Sequence, residues 1–201
     1  MGKYTWLLDA GHGGIINNKY QTSGKRSPNW DKGVYFEGVG NRDLIKRILK
    51  GLERFPVKCV PLHWTQEDVP LSRRSAMIND MYRYNRTIRV MSIHSNAGGG
   101  TGFEVFTSPD ESESDVIATV YAEEAKLLFP DVAFRSDWDD GDPDKEANFW
   151  MLTKTHCPSI LTENLFMDNR NDYDMLWDQR VRDKIALIHI HTILKYEGIM
   201  I

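Results

Sequence analysis

The chain has too little cysteine for a thiolate-built metal site. Only Cys59 and Cys157 occur among its 201 residues, and they form no CxxC pair. Both fall in stretches that read as strand or pre-strand, so buried free thiols are expected rather than a disulfide. Long hydrophobic runs are also missing. The most apolar late stretch, Ile185 to Leu194, is too short to cross a bilayer and carries His189 and His191, so no membrane span is expected. Met1-Gly2-Lys3 leads straight into Tyr4-Thr5-Trp6-Leu7-Leu8, which is too short for the apolar core of a signal peptide. The chain therefore reads as one made without an export signal, or as the trimmed form of an exported protein. Excess positive charge is absent too: 25 Lys and Arg stand against 29 Asp and Glu, for a net charge of -4. That excludes a nucleic-acid binder built on a basic stripe. The short pair Arg73-Arg74 reads as a solvated helix face. Hydrophobic residues at 41% leave no room for disorder.

What is present alternates between two periods. Residues 3–9 read as a first strand, followed by a long loop over 13–36. A helix is expected over about 40–54, where Ile45, Ile48, Leu49 and Leu52 make one apolar face. Strands follow at 57–64, 87–94, 102–107 and 158–162, and helices at 70–84, 114–129, 147–155 and 172–196. Residues 131–144 read as a solvated acidic loop. Strands alternating with helices predict an α/β fold, a three-layer sandwich with a twisted, mainly parallel sheet and helices on both faces. No repeat, low-complexity tract or linker interrupts the pattern, so residues 1–201 read as a single domain.

In open α/β sheets, ligands bind beyond the carboxyl ends of the strands. His12 follows the first strand, His94 ends the third and Glu163 ends the last. If those strands are parallel, the three side chains share one rim, and the loop before Glu37 reaches it. Two histidines and a carboxylate form the ligand set of a catalytic zinc that keeps a fourth position open. A further carboxylate nearby can take a proton and return it to a leaving amine. His12, Glu37 and His94 are thus the candidate metal ligands, and Glu163 the candidate catalytic carboxylate. Taken singly, each has a plainer reading: a strand-end histidine is more often structural, and a glutamate at a helix start is favoured by the macrodipole.

Other motifs fail. There is no HExxH and no GxSxG. Gly11-His12-Gly13-Gly14 begins like a dinucleotide fingerprint but is followed by a loop instead of a helix. His189 and His191 lie two apart on one helix and face different ways.

Five stretches together resemble a known family. Asp9-Ala10-Gly11-His12-Gly13-Gly14, then Glu37 at a helix head, Ser92-Ile93-His94-Ser95-Asn96-Ala97, Gly102-Phe103-Glu104-Val105-Phe106 and Pro158-Ser159-Ile160-Leu161-Thr162-Glu163-Asn164 resemble the zinc-dependent N-acetylmuramoyl-L-alanine amidases of the amidase-3 family. The resemblance covers essentially the whole chain. It implies Zn2+ held by His12, Glu37 and His94, with Glu163 as catalytic carboxylate. It implies peptidoglycan as substrate, cut between N-acetylmuramic acid and L-alanine of the stem peptide. Asn96 matches a family position beside the third ligand, and a substrate-contact or supporting role is expected there.

The sequence departs from the family pattern after Glu37, where Gly38-Val39-Gly40-Asn41 follows, and after Glu163, where Asn164-Leu165-Phe166 follows. Regulated members carry a blocking helix before the last catalytic strand; residues 131–149 read as too short and polar for one, so an open site is expected. The aromatics of loop 13–36 either wall the groove or pack the loop onto the body. No protein partner is evident. A phage or prophage lysin and a trimmed exported enzyme both fit. Two rival readings stay open: a zinc peptidase acting within the stem peptide, for which Arg73 or Arg74 would have to face the rim, and a non-catalytic wall-binding module.

Overall fold

A computed structural model describes residues 2–109, 112–139 and 141–199. Its sheet has six strands in the order β4-β1-β5-β8-β6-β7. These are β1 Thr5–Ala10, β4 Lys58–Pro61, β5 Ile88–Asn96, β6 Phe103–Thr107, β7 Lys145–Glu146 and β8 Ser159–Phe166. Only the β6/β8 pairing is antiparallel within this sheet. The helices are α1 Glu37–Leu52, α2 Leu71–Tyr84, α3 Glu113–Leu128, α4 Trp150–Thr153, α5 Arg170–Trp177 and α6 Gln179–Tyr196. The expected α/β sandwich is what forms.

The central strands β1 and β5 carry apolar residues on both faces because both faces are covered. Trp6, Leu8, Met91 and Ile93 meet Ile45 and Ile48 of α1, Ile117 and Tyr121 of α3 and Ile185 and Ile193 of α6. On the opposite face Leu7 and Val90 meet Ile78 of α2 and Met151 of α4. Side chains alternate along each strand, and the register pairs Leu7 with Val90, Asp9 with Ser92, His94 with Glu163 and Glu163 with Glu104. Asp9, Ser92, His94, Glu163 and Glu104 therefore all project to the α2/α4 face. Next to Glu104 a cavity is lined by Asn96, Arg135 and Phe166.

Several local expectations differ from the fold. His94 and Glu163 do not end their strands: β5 runs on to Asn96 and β8 to Phe166, with a bulge between His94 and Asn96. Helix α1 starts at Glu37, not near residue 40, so Glu37 sits in its first turn. The expected closing helix over 172–196 is two helices. Asp178 is extended (φ -76°, ψ 122°) and its side chain accepts from the Arg180 amide, which caps a new helix. Residues 13–36 contain a small hairpin, β2 Ile15–Ile16 with β3 Lys19–Tyr20. The Tyr20 ring lies 4.5 Å from that of Phe36, Trp30 packs edge-on against Tyr173, and Tyr35 is buried, so these aromatics pin the loop to the body.

The acidic stretch is not wholly solvated either. Asp144 is fully buried and accepts the Thr107 hydroxyl at 2.6 Å. Arg74 is not on a solvated face; it is buried against Asp9. Among the described residues of 131–149 there is no helix, and none in the described chain is long and apolar enough to cross a membrane. Cys59 and Cys157 are free thiols.

Candidate active site

The rim is built outward from one close approach. β1 ends at Ala10, and a Cβ on Gly11 would stand 2.2 Å from the His94 ring. Only glycine lets that strand end pass beneath the imidazole. His12 then adopts a left-handed backbone, φ 65°, which costs energy for a residue with a Cβ. Helix α1 holds it there. Asn41 donates to the Gly11 carbonyl at 3.0 Å, and the buried Arg42 donates to the His12 carbonyl at 2.7 Å. Gly38 of the same helix packs where a Cβ would lie 1.9 Å from the Gly13 carbonyl oxygen.

These contacts bring His12, Glu37 and His94 together. Glu37 is 2% exposed, and its Oε1 lies 3.3 Å from His12 Nε2 and 3.0 Å from His94 Nδ1. Burial alone would raise its pKa, but hydrogen bonds from His12 and then His94 hold it well below the carboxylate range. The first turn of α1 adds the favourable dipole.

A buried polar line behind His94 fixes its tautomer. Ser92 Oγ donates to Asp9 Oδ2 at 2.8 Å, so its one proton is committed and it accepts from His94 Nε2 at 3.3 Å. Asp9 is itself clamped by Arg74 at 3.0 Å. His94 Nδ1 therefore faces Glu37 Oε1 alone: burial opposes a second proton there, but the hydrogen bond and charge of Glu37 outweigh it and raise the His94 pKa. A metal ion that displaced this proton would take the Nδ1 lone pair.

The donor set fits zinc. Ligand bonds of about 2.0–2.1 Å in a tetrahedron space neighbouring ligand atoms by about 3.3 Å, close to both separations above. The three residues offer ligand atoms all within 4.8 Å of one another.

Glu163 projects beside His94 from the next strand. Burial, helped by the charges of Glu37 and Glu104 and opposed by His94, pushes its carboxyl up to about 7. Its Oε2 is buried with no hydrogen-bond partner among the described residues. Such a carboxyl is set for proton transfer near neutral pH. Asn164 supports the strand, donating to the His94 carbonyl at 2.9 Å and accepting from Tyr121. Asn96 donates to Glu104, and both line a cavity beside the site.

Of the residues singled out in the sequence, His12, Glu37 and His94 converge, Glu163 stands next to them, and Asn96 meets Glu104 instead of the ligand cluster. His189 is buried against Thr162, and His191 pairs with Glu124 away from the rim. Asp9, Asn41, Arg42, Arg74 and Ser92 escape sequence reasoning. Their signal is there all the same: polar residues inside otherwise apolar strand and helix faces need buried partners.

Comparisons with known proteins give the family and the fold. The family profile described as N-acetylmuramoyl-L-alanine amidase, amidase-3, matches residues 7–195. The amidase AmiC2 of Nostoc punctiforme superposes with a TM-score of 0.75 at 24% identity, over 97% of each chain. The amidase Ami1 of Mycobacterium smegmatis gives 0.77 at 22% identity, over 98% of each. The amidase CwlM of Bacillus licheniformis is 35% identical over 105 residues, 52% of this chain and 39% of that protein. The endolysin of Bacillus phage SPP1 is 26% identical over 200 residues, 96% of this chain and 65% of that protein. The chain thus spans only part of the length of these two relatives. Because the profile covers nearly the whole sequence, the chain belongs to the amidase-3 family of N-acetylmuramoyl-L-alanine amidases.

Proposed function

We propose that this chain is a zinc-dependent peptidoglycan hydrolase that cuts the amide between the lactyl group of N-acetylmuramic acid and L-alanine of the stem peptide. One observation carries the reading: His12 and His94 present ring nitrogens to a single buried Glu37 oxygen at 3.3 and 3.0 Å, with Glu163 on the adjoining strand. His12, Glu37 and His94 would hold the ion. Zinc, when bound, supplies Lewis acidity and a nucleophile near neutral pH.

The remaining work falls to the chain's own groups. Glu163 takes a proton from the water that attacks the lactyl carbonyl carbon. The C–N bond breaks, and Glu163 returns that proton to the leaving nitrogen of L-alanine. The carboxylic acid formed gives its remaining proton to the amine, so the products are a lactyl carboxylate and the ammonium group of L-alanine, and atoms and charge balance. Arg42 and Asn41 hold the strained His12 turn, and Ser92 keeps His94 Nδ1 free to ligate. Both roles limit reorganisation when the ion binds.

The rival peptidase reading needs Arg73 or Arg74 for a carboxylate pocket. Arg74 is committed to Asp9 at 3.0 Å, and Arg73 is exposed in the first turn of α2. The test is digestion of purified peptidoglycan with and without a chelator, followed by identification of new ends. Free N-terminal L-alanine that disappears with chelator is the expected result. New ends only within the stem peptide, or binding with no new ends, would overturn the proposal.

A further inference from the structure

A cavity of about 440 Å³ is lined by Asn96, the Gly98 to Gly100 turn, Glu104, Phe106, Arg135 and Phe166. One buried carboxylate organises its wall. Glu104, 4% exposed, stands opposite Glu163 in the β6/β8 register. Its Oε1 receives Arg135 Nε at 2.7 Å and Lys145 Nζ at 2.6 Å, and its Oε2 receives Asn96 Nδ2. Two cations on one carboxylate leave a net positive charge.

Arg135 is held in a particular way. Its Nε is tethered to Glu104, and its guanidinium carbon lies 5.5 Å from the Phe166 ring centroid. Among the described residues neither Nη makes a hydrogen bond or ion pair, and the side chain is 45% exposed. A planar fork fixed at one end, with two unspent donors facing a cavity, is the geometry that takes a carboxylate in bidentate fashion. A lone structural counter-ion for Glu104 would not need both Arg135 and Lys145.

Position sets what that carboxylate belongs to. Neighbouring strands are about 4.8 Å apart, and an extended peptide advances about 3.3–3.6 Å per residue. Glu104 is one strand away from Glu163 and Arg135 bonds it at 2.7 Å, which puts a group held by Arg135 within about two residues of a bond cut beside Glu163. We infer that Arg135, positioned by Glu104 and reinforced by Lys145, forms a carboxylate subsite for the acidic second residue of the stem peptide. This rests on the amidase reading above and adds a specificity determinant to it.

The test uses two muramyl tripeptides that differ only in an α-carboxylate or an α-carboxamide on the second residue. The wild-type enzyme should favour the carboxylate in kcat/KM by about tenfold or more, the size expected of a charge-assisted hydrogen-bonded pair. Arg135→Ala should collapse that ratio toward one while zinc content stays the same. Arg135→Lys should retain part of it, and Lys145→Ala should reduce it less than Arg135→Ala. An unchanged ratio in Arg135→Ala, or no wild-type preference, would overturn the subsite. Failure of the amidase reading shows differently, as no free L-alanine end from either tripeptide. In that case calorimetric binding of the two tripeptides to Glu163→Gln still decides: acid bound more tightly than amide supports the subsite, and equal binding removes it. If Arg135→Ala does not fold, the same calorimetry on Arg135→Lys decides instead, with undiminished acid preference counting against a bidentate contact.

Discussion

Glu37 and Glu104 are two buried carboxylates reached from opposite sides of β8; two nitrogen-bearing side chains grip Glu37 and three grip Glu104. Their partners make them different objects. Glu37 faces two imidazoles, which can each surrender a lone pair to a cation. Glu104 faces an arginine and a lysine, which carry fixed charge and no lone pair to give. The first arrangement is a metal socket. The second anchors positive charge in a cavity wall. A buried glutamate therefore says little alone, and the protonation chemistry of its partners decides what it does.

The difference predicts what each side does when disturbed. The largest effect is expected at the socket. His94→Ala should lose bound zinc, as should treatment with a chelator, and the melting temperature should fall because binding couples to folding. Metal content by elemental analysis checks this, and an unchanged zinc stoichiometry would sink the ligand assignment. Next comes Glu163→Gln, which should keep zinc and lose turnover by about 10²- to 10⁴-fold, the usual contribution of a general acid–base group. Full activity in that variant would remove Glu163 from the mechanism.

Behind the socket, Arg74→Met leaves Asp9 buried and unpaired. That should cost about 3–5 kcal/mol in urea unfolding, and a loss below about 1 kcal/mol would mean that Asp9 behaves like a surface group. Ser92→Ala frees the His94 tautomer and should weaken zinc about 10- to 100-fold in chelator competition. Ser92→Thr should restore most of that affinity, and a Ser92→Ala variant with native affinity would discard the tautomer argument. The smallest effect is expected far from either glutamate. Arg47 of α1 bonds Asp43 and Asp183 near the surface, and Arg47→Ala should cost less than about 1 kcal/mol.

Much of the fold is legible in the sequence because periodicity reports burial. The run from Ile88 to Ile93 carries apolar residues on both faces, broken only by Arg89 and Ser92, and the structure buries all six. The spacing of Ile45, Ile48 and Leu52 announces the inner face of α1, and all three are buried. The break at Asp178 is not legible: the apolar pattern carries through it, and only the cap bond to Arg180 starts a new helix. The burial of Arg74 is equally hidden, because an arginine in an exposed helix and one beneath a sheet look alike in sequence.

The four candidate positions could be chosen from residue type and strand-end placement, since a parallel sheet gathers its carboxyl ends on one rim. Their convergence could not. The sequence determined by itself that the chain would be an α/β sandwich with histidines and carboxylates at one edge, because hydrophobic period and chain direction are local properties. The left-handed turn at His12, the Ser92 proton that assigns the His94 tautomer and the unspent fork of Arg135 were decided only by tertiary structure. Each depends on an atom brought from a distant part of the chain, and hydrogen-bond geometry at about 3 Å is not written in spacing.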